Sequence, residues 1–265
     1  MRFLRKLESF LMKNQILESS IDGQLLFTED FLGLLENRLI KADCIINYIP
    51  NYRLRGNKVH LPILSEMELE LKDDGVISTK SSNEMTVKMA IGEAKLIQLD
   101  LTFNSMVFDL QGSSLQTYLL DELEQAMINA IHYRLVNVLK DKGCTEIVST
   151  LTDKWFKTFC ADYVKGKALL LIKSDMVSQI GVKYLEYEKG ELTLLGQKVL
   201  VTDDPNFEGM MVIGRNDVVF IQSGQPELYV DEETGYRSNL IYLGNRFYCG
   251  FVIKNPQRCY HVKFE

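Results

Sequence analysis

The stretch Ser113–Lys142, SSLQTYLLDELEQAMINAIHYRLVNVLKDK, is the longest uninterrupted helical pattern in the chain, and the other segments take their places around it. Ser113 and Gln116 stand at capping-box spacing, so the serine oxygen and the glutamine side chain can satisfy free amides of a first turn. Gly143 supplies the stop. At 1.5 Å per residue such a helix runs about 40 Å, the length of a structural spine. Steps of about 100° gather Leu115, Leu119, Leu120, Leu123, Met127, Ala130, Ile131 and Val138 into one wide apolar arc. Asp121, Glu122, Gln125, Asn129, His132 and Lys140 occupy a narrower polar sector opposite. Arg134 falls inside the apolar arc and Glu124 at its edge; their side chains either reach out to water or pair with a neighbouring subunit.

Upstream, Lys95 to Phe103 alternates apolar Leu99, Leu101 and Phe103 with Gln98, Asp100 and Thr102, which predicts a strand leading through Gly112 into the long helix. Glu66 to Lys72 and Met85 to Ile91 are extended runs on either side of the turn signal Asp73-Asp74-Gly75, and Val59 to Pro62 is extended before them. Together they predict a long two-stranded projection, which gains stability only by lying on another surface. Cys44 to Ile49 reads as a short apolar strand closed by Pro50. Residues 1–42 are mainly helical in pattern. Phe3, Leu4, Leu7, Phe10 and Leu11 mark one apolar face, Phe31, Leu34, Leu35 and Leu39 another, and Ile21-Asp22-Gly23 separates them. This is an arm, and its faces need the body of its own subunit or of another.

Downstream of Gly143 a second compact unit begins. Thr152-Asp153 caps a helix carrying Trp155, Phe156, Phe159, Cys160 and Tyr163; Ala168 to Ile172 is a short buried strand; Met176 to Ile180 starts another helix. Gly190 to Val201 is a hairpin-like pair around Gly196, and Met210 to Ile213 and Val218 to Gln222 are strands around Gly214-Arg215-Asn216-Asp217. That order is α+β rather than a βαβ array. Asn239 to Glu265 is rich in strand formers but too short to fold alone, so it is expected to return to the long helix and pair with the strand at Lys95 to Phe103.

The 265 residues carry 30 basic and 36 acidic side chains, a net charge of -6, which argues against a surface dedicated to nucleic acid or to an anionic membrane. The opening MRFLRKLESFLMKNQILESS lacks a continuous apolar core and a small-residue cleavage site, so it reads as an amphipathic helix and not a signal peptide. Cys44, Cys144, Cys160, Cys249 and Cys259 are widely spaced and never form a C-x-x-C pair, which fits a reducing compartment without a zinc site. His60, His132 and His261 have no ligand spacing, and Cys259 near His261 lacks further partners. Asp203 and Asp204 are adjacent carboxylates, better explained by a turn before Pro205 than by acid/base work. The common nucleophile elbow and phosphate-cradle motifs are absent, and no cofactor is expected.

The order of arm, extended hairpin, strand into long helix, inserted α+β unit and returning C-terminal strand resembles the major capsid protein of tailed phages, the Hong Kong 97 fold. Leu194-Leu195-Gly196-Gln197-Lys198-Val199 before Asp203-Asp204-Pro205 is similar to that family's leucine-glycine-x-x-valine segment preceding a proline loop. Asn255-Pro256-Gln257-Arg258-Cys259-Tyr260 is similar to its closing proline segment, with Cys259 where a small alanine is common. The family's glycine-aspartate pair is split here, as Gly214-Arg215-Asn216-Asp217.

The resemblance implies an arm at 1–42, an extended loop at 59–93, an axial domain at 145–237, and a peripheral domain assembled from 43–58, 94–144 with the spine helix, and 238–265. It implies a shell subunit with no enzymatic role that associates with itself as hexamers and pentamers. Its partners would be a portal, a separate scaffolding protein and double-stranded DNA enclosed without sequence-specific binding, with no membrane. Assembly would take place in the host bacterial cytoplasm, and the product would be the virion capsid. Candidate assembly contacts are Asp73, Asp74, Gly75 and Lys80 in the loop and Glu124 and Arg134 on the helix. Two other readings stand beside it: an encapsulin-like compartment shell, and a small-molecule enzyme with its site near Thr202 to Asn206.

Overall fold

The structure is a computed structural model that describes residues 12–13, 17–19, 25–63, 69–71, 77–79, 88–104, 113–148, 152, 154, 157–158, 168–180, 184–188, 190–203, 207–230 and 240–264. Within the arm, β1 (Leu17–Ser19) and β2 (Leu25–Phe27) form an antiparallel pair with Leu17 opposite Phe27, where helix was expected. The apolar runs flanking Ile21-Asp22-Gly23 are too short for a helical period, and Leu25-Leu26-Phe27 stops at the cap of the next helix. That helix, α1 (Glu29–Lys41), starts where Thr28 Oγ1 accepts the Phe31 amide at 3.3 Å. Glu29 and Asp30 in its first turn and Arg38 and Lys41 in its last complement the helix dipole. Phe31, Leu35 and Leu39, spaced by four, form its buried face.

The strand expected over Cys44 to Ile49 is instead a single 3-10 turn, η1 (Ile45–Asn47), and β3 (Asn51–Leu54) begins only after Pro50. The cause is local. Asn47 Nδ2 donates to the carbonyls of Leu39 and Ala42 at 2.7 and 2.8 Å, capping oxygens that the end of α1 leaves free, and this requires the chain to turn back.

In the stretch read as a projection there are two ladders: β4 (Lys58–Ile63) pairs β7 (Lys88–Glu93), and between them in sequence β5 (Leu69–Leu71) pairs β6 (Ile77–Thr79), both antiparallel. Strand β8 (Lys95–Asn104) precedes α2 (Ser113–Lys142), whose bounds are those of the stretch quoted first, and β9 (Cys144–Val148) follows it. Trp155, Phe156, Phe159, Cys160 and Tyr163, the apolar side of the helix expected next, lie outside the described residues. Then come β10 (Ala168–Lys173), α3 (Ser174–Ile180), β11 (Leu185–Glu188), β12 (Glu191–Leu194), β13 (Gln197–Thr202) and β14 (Met210–Gly214). The chain finishes with β15 (Val218–Val230), β16 (Leu240–Ile253), the turn η2 (Pro256–Arg258) and β17 (Cys259–Phe264).

Two larger sheets result. One is seven-stranded, in the order β11-β12-β13-β10-β14-β17-β9; the other is four-stranded, β3-β15-β16-β8. The C-terminal return pairs as expected, β16 running antiparallel to β8 from Leu240 opposite Asn104 to Cys249 opposite Lys95. The turn from Gly214 to Asp217 carries the chain from one sheet to the other, so both sheets draw strands from both sides of residue 238: β15 lies in the four-stranded sheet and β17 in the seven-stranded one.

The period of two then sorts side chains into three cores. Leu169, Leu171, Met211, Ile213, Phe220 and Phe251 face α1 and α2 in one continuous core that spans both sheets. Their neighbours Leu170, Ile172, Met210 and Val212 face α3 on the far side of the seven-stranded sheet. Val219, Ile221 and Val252 face Ala90 and Ala94 on the far side of the four-stranded one. Glycine makes that last contact possible. A Cβ on Gly92 would collide with Val252 Cγ2, and one on Gly250 with the carbonyl of Glu93, so only glycine lets β7 and its turn lie directly on β16.

Candidate functional site

Of the predicted contact residues, Asp73, Asp74, Gly75 and Lys80 lie outside the described residues. Glu124 is engaged within the chain. Arg38 of α1 bridges Asp121 and Glu124 of α2, with Glu124 Oε2 at 3.5 Å, so the ion pairs reinforce the apolar seam between the two helices. Arg134 is half-buried, and its Nε is enclosed without a hydrogen-bond partner among the described residues. Its charge acts on the Cys249 thiol, whose burial pushes it up to about 12.

His132 departs from the sequence expectation. It was placed in the polar sector of α2, yet it is 1 % exposed and accepts the Ile45 amide through Nε2 at 3.3 Å. The turn η1 seats itself against that face of the helix, covering a position that would otherwise meet water. Burial pushes the imidazole down to about 4, so it is neutral at ordinary pH. The rest of the sector, Asp121, Glu122, Gln125, Asn129 and Lys140, is exposed as expected.

A second polar cluster was not visible in the sequence. Lys198 of β13 is 3 % exposed, with Nζ 3.0 Å from Asp43 Oδ1 and 5.2 Å from the centre of the Tyr48 ring. Tyr48 donates its hydroxyl to Asp43 Oδ1 at 2.8 Å, and Arg215 sits 5.8 Å from the same ring. Burial works to lower the Lys198 ammonium, but its interactions with Asp43 and Tyr48 together outweigh that and hold the group above its ordinary value. The cluster pins the connection after α1 onto the seven-stranded sheet. An isolated lysine between Gln197 and Val199 was its one sequence signal; the carboxylate lies 155 positions away.

Along α1 runs a groove of about 540 Å³, bounded on the other side by η1 and β3. Leu35, Leu39, Met127 and Phe220 form its apolar floor, and Glu29 and Glu36 stand along its α1 rim. Gly33 opens it further, because nothing lies within 4 Å of where its Cβ would be. Elsewhere Met89 and Ile91 present apolar side chains on the outward face of β7, 49 % and 56 % exposed.

Of the residues named for small-molecule chemistry, only some are described. Thr202 is buried and Asp203 exposed, while Asp204, Pro205 and Asn206 lie outside the described residues. His261 is buried, stacked on Phe207, with Nε2 bonded to the Glu208 carbonyl at 2.8 Å. No group of three or more metal-ligating side chains occurs among the described residues, and no helix among them is long and apolar enough to cross a membrane.

No family model and no curated protein matches the chain by sequence. Solved structures do match. The virus-like particle of Pyrococcus furiosus superposes with a TM-score of 0.55 at 13% identity, over 88% of this chain and 97% of that one. The capsid of the native GTA particle gives 0.55 at 9% identity over 84% and 90%. The mature capsid of bacteriophage PhiM1 gives 0.50 at 7% identity over 83% and 86%. At such identities the likeness is one of fold: the chain is α+β with the Hong Kong 97 capsid fold.

Proposed function

We propose that this chain is a self-assembling subunit of a closed protein shell, the major capsid protein of a tailed bacteriophage whose head encloses double-stranded DNA. The observation that carries the reading is the superposition on shell-forming subunits across 84–88% of the chain. On this reading the hairpin and the arm also supply surface for association between copies. The acidic balance of 36 against 30 suits a wall that contains DNA without gripping it.

In this reading the contacts between copies form around the projection at 59–93, with Asp73, Asp74, Gly75 and Lys80 in it, and around the axial unit at 145–237. Hexamers and pentamers are the units, a portal and a separate scaffolding protein the partners, and the host cytoplasm the place of assembly. An encapsulin-like compartment shell is the second reading, kept beside the first because the chain also superposes on a virus-like particle, that of Pyrococcus furiosus, over 97% of that chain.

Electron microscopy of the purified protein, across concentration, salt and crowding agents, tests the proposal. Rings, capsomers or closed particles are the expected result, and a stable monomer in every condition sinks it. Nuclease-protected DNA in particles from infected or producing cells separates the phage head from the compartment, which would hold protein cargo instead.

A further inference from the structure

The hairpin that joins β12 to β13 closes through a two-residue turn, Leu195-Gly196, between Leu194 and Gln197, which lie opposite each other in the ladder. Both turn residues have a positive φ, 50° and 75°, as a tight turn matched to the twist of its strands requires. Glycine meets that demand at Gly196. Nothing lies within 4 Å of where its Cβ would be, so glycine supplies conformation there and not space. Leucine is a poor choice for its position. In the left-handed region its Cβ crowds the following carbonyl, and Asn, Asp and Gly are the residues that suit such a turn. Among the described residues Leu195 is the one non-glycine with a positive φ.

Packing within the chain does not offset that strain. Leu195 is 37 % exposed and belongs to none of the three cores, whereas Leu194 beside it is fully buried. The tip is also fastened: Gln197 Oε1 accepts the Ala168 amide at 2.8 Å, tying the end of the hairpin to the start of β10. Two other turns share that end of the sheet, since Ala168 lies opposite Gly214 and Ile213 opposite Cys259. They carry Arg215, Asn216 and Asp217, and Gln257 and Arg258, side chains that water solvates. A leucine on the third turn, held in place against its backbone preference, is an apolar anchor that its own chain does not enclose.

We propose that Leu195 is an assembly anchor: the Leu195-Gly196 tip of one copy sets its leucine against an apolar surface of a neighbouring copy of the same chain. The second copy as occupant rests on the shell reading, in which each protomer is surrounded by identical ones. On that reading the strain at Leu195 persists because the contact between copies offsets it.

Substitutions at Leu195 separate backbone from side chain. Leu195→Asn relieves the positive φ and removes the apolar group. In dilute protein that sedimentation velocity shows to be protomeric, it raises the melting temperature by about 2 °C. The concentration at which capsomers or particles form, followed by light scattering and electron microscopy, rises about tenfold or more. Leu195→Met keeps an apolar side chain on the same strained backbone and assembles like the wild type. Stability and assembly moving in opposite directions is a result that a purely structural leucine would not produce. A lowered melting temperature in Leu195→Asn overturns the proposal, because the leucine then packs within its own chain. Undiminished assembly of Leu195→Asn, or an equal loss in Leu195→Met, overturns it while the wild-type particles leave the shell reading standing. A wild-type protein that stays protomeric at every concentration removes the reading and the proposal together.

Discussion

His132 couples the loop after α1 to α2 through one hydrogen bond that only the neutral ring can accept. Burial disfavours the charged ring, so the folded state takes up this proton only near pH 4, whereas the unfolded chain does so near its ordinary 6.5, and protonation would also set an N–H opposite the Ile45 N–H. Between those values the unfolded state binds more protons. The contribution is therefore complete above pH 6.5 and is lost as pH falls toward 4, by about 3 kcal/mol in all. Urea unfolding at intervals from pH 7.5 to 4.5 should show this loss, and His132→Gln, which keeps an acceptor but cannot titrate, should flatten it by about 1 kcal/mol per pH unit. Equal slopes for the two proteins would refute the assignment. Lys198 makes an asymmetric case, since its ammonium is buried while the Asp43 side chain is 67% exposed. Asp43→Ala leaves a buried cation short of its partner; Lys198→Met leaves a carboxylate that water can solvate. Thermal or urea unfolding should find Asp43→Ala the costlier by at least about 1 kcal/mol; the reverse order would mean the pair is not what holds that lysine.

At the scale of elements, α1 is held on α2 by Phe31, Leu35 and Leu39, and the bridge from Arg38 to Asp121 and Glu124 lies on the outer margin of that seam. Removing the buried ring should cost far more than removing the bridge: about 3–5 kcal/mol for Phe31→Ala and under about 1 kcal/mol for Arg38→Ala, by chemical denaturation. Comparable losses would make electrostatics the fastening. The same contrast explains what could be read beforehand. The long helix and the pairing of Leu240–Ile253 with Lys95–Asn104 were legible because apolar period decides them. The turn at Ile45–Asn47 was not, because two side-chain hydrogen bonds from Asn47 override an apolar run that otherwise reads as strand. His132 was misplaced for a related reason: its angular position on the helix is polar, and only the seating of that turn buries it. The groove draws on α1, η1, β3, α2 and β15, three stretches of chain distant in sequence, and no local pattern announces it.

For the whole molecule, the continuous core beneath α1 and α2 ties both sheets to one helical layer, while the paired strands β4 and β7 lie on the opposite face of the four-stranded sheet. Strand β7 is apolar on both sides. Ala90 and Ala94 turn inward with Gly92 between them, and Met89 and Ile91 turn outward, about half exposed. On the shell reading that outward pair meets another copy, since exposed apolar residues on a two-stranded ribbon are otherwise an aggregation hazard. Met89→Lys with Ile91→Lys should therefore leave the protomer's melting temperature within a few degrees of the wild type, because neither side chain is in a core, while particle formation fails. Sedimentation velocity with electron microscopy reads the second outcome and circular dichroism the first. Assembly undiminished in the double variant would place the contact elsewhere on the subunit, and a collapsed melting temperature would show that β7 is buried in the protomer itself.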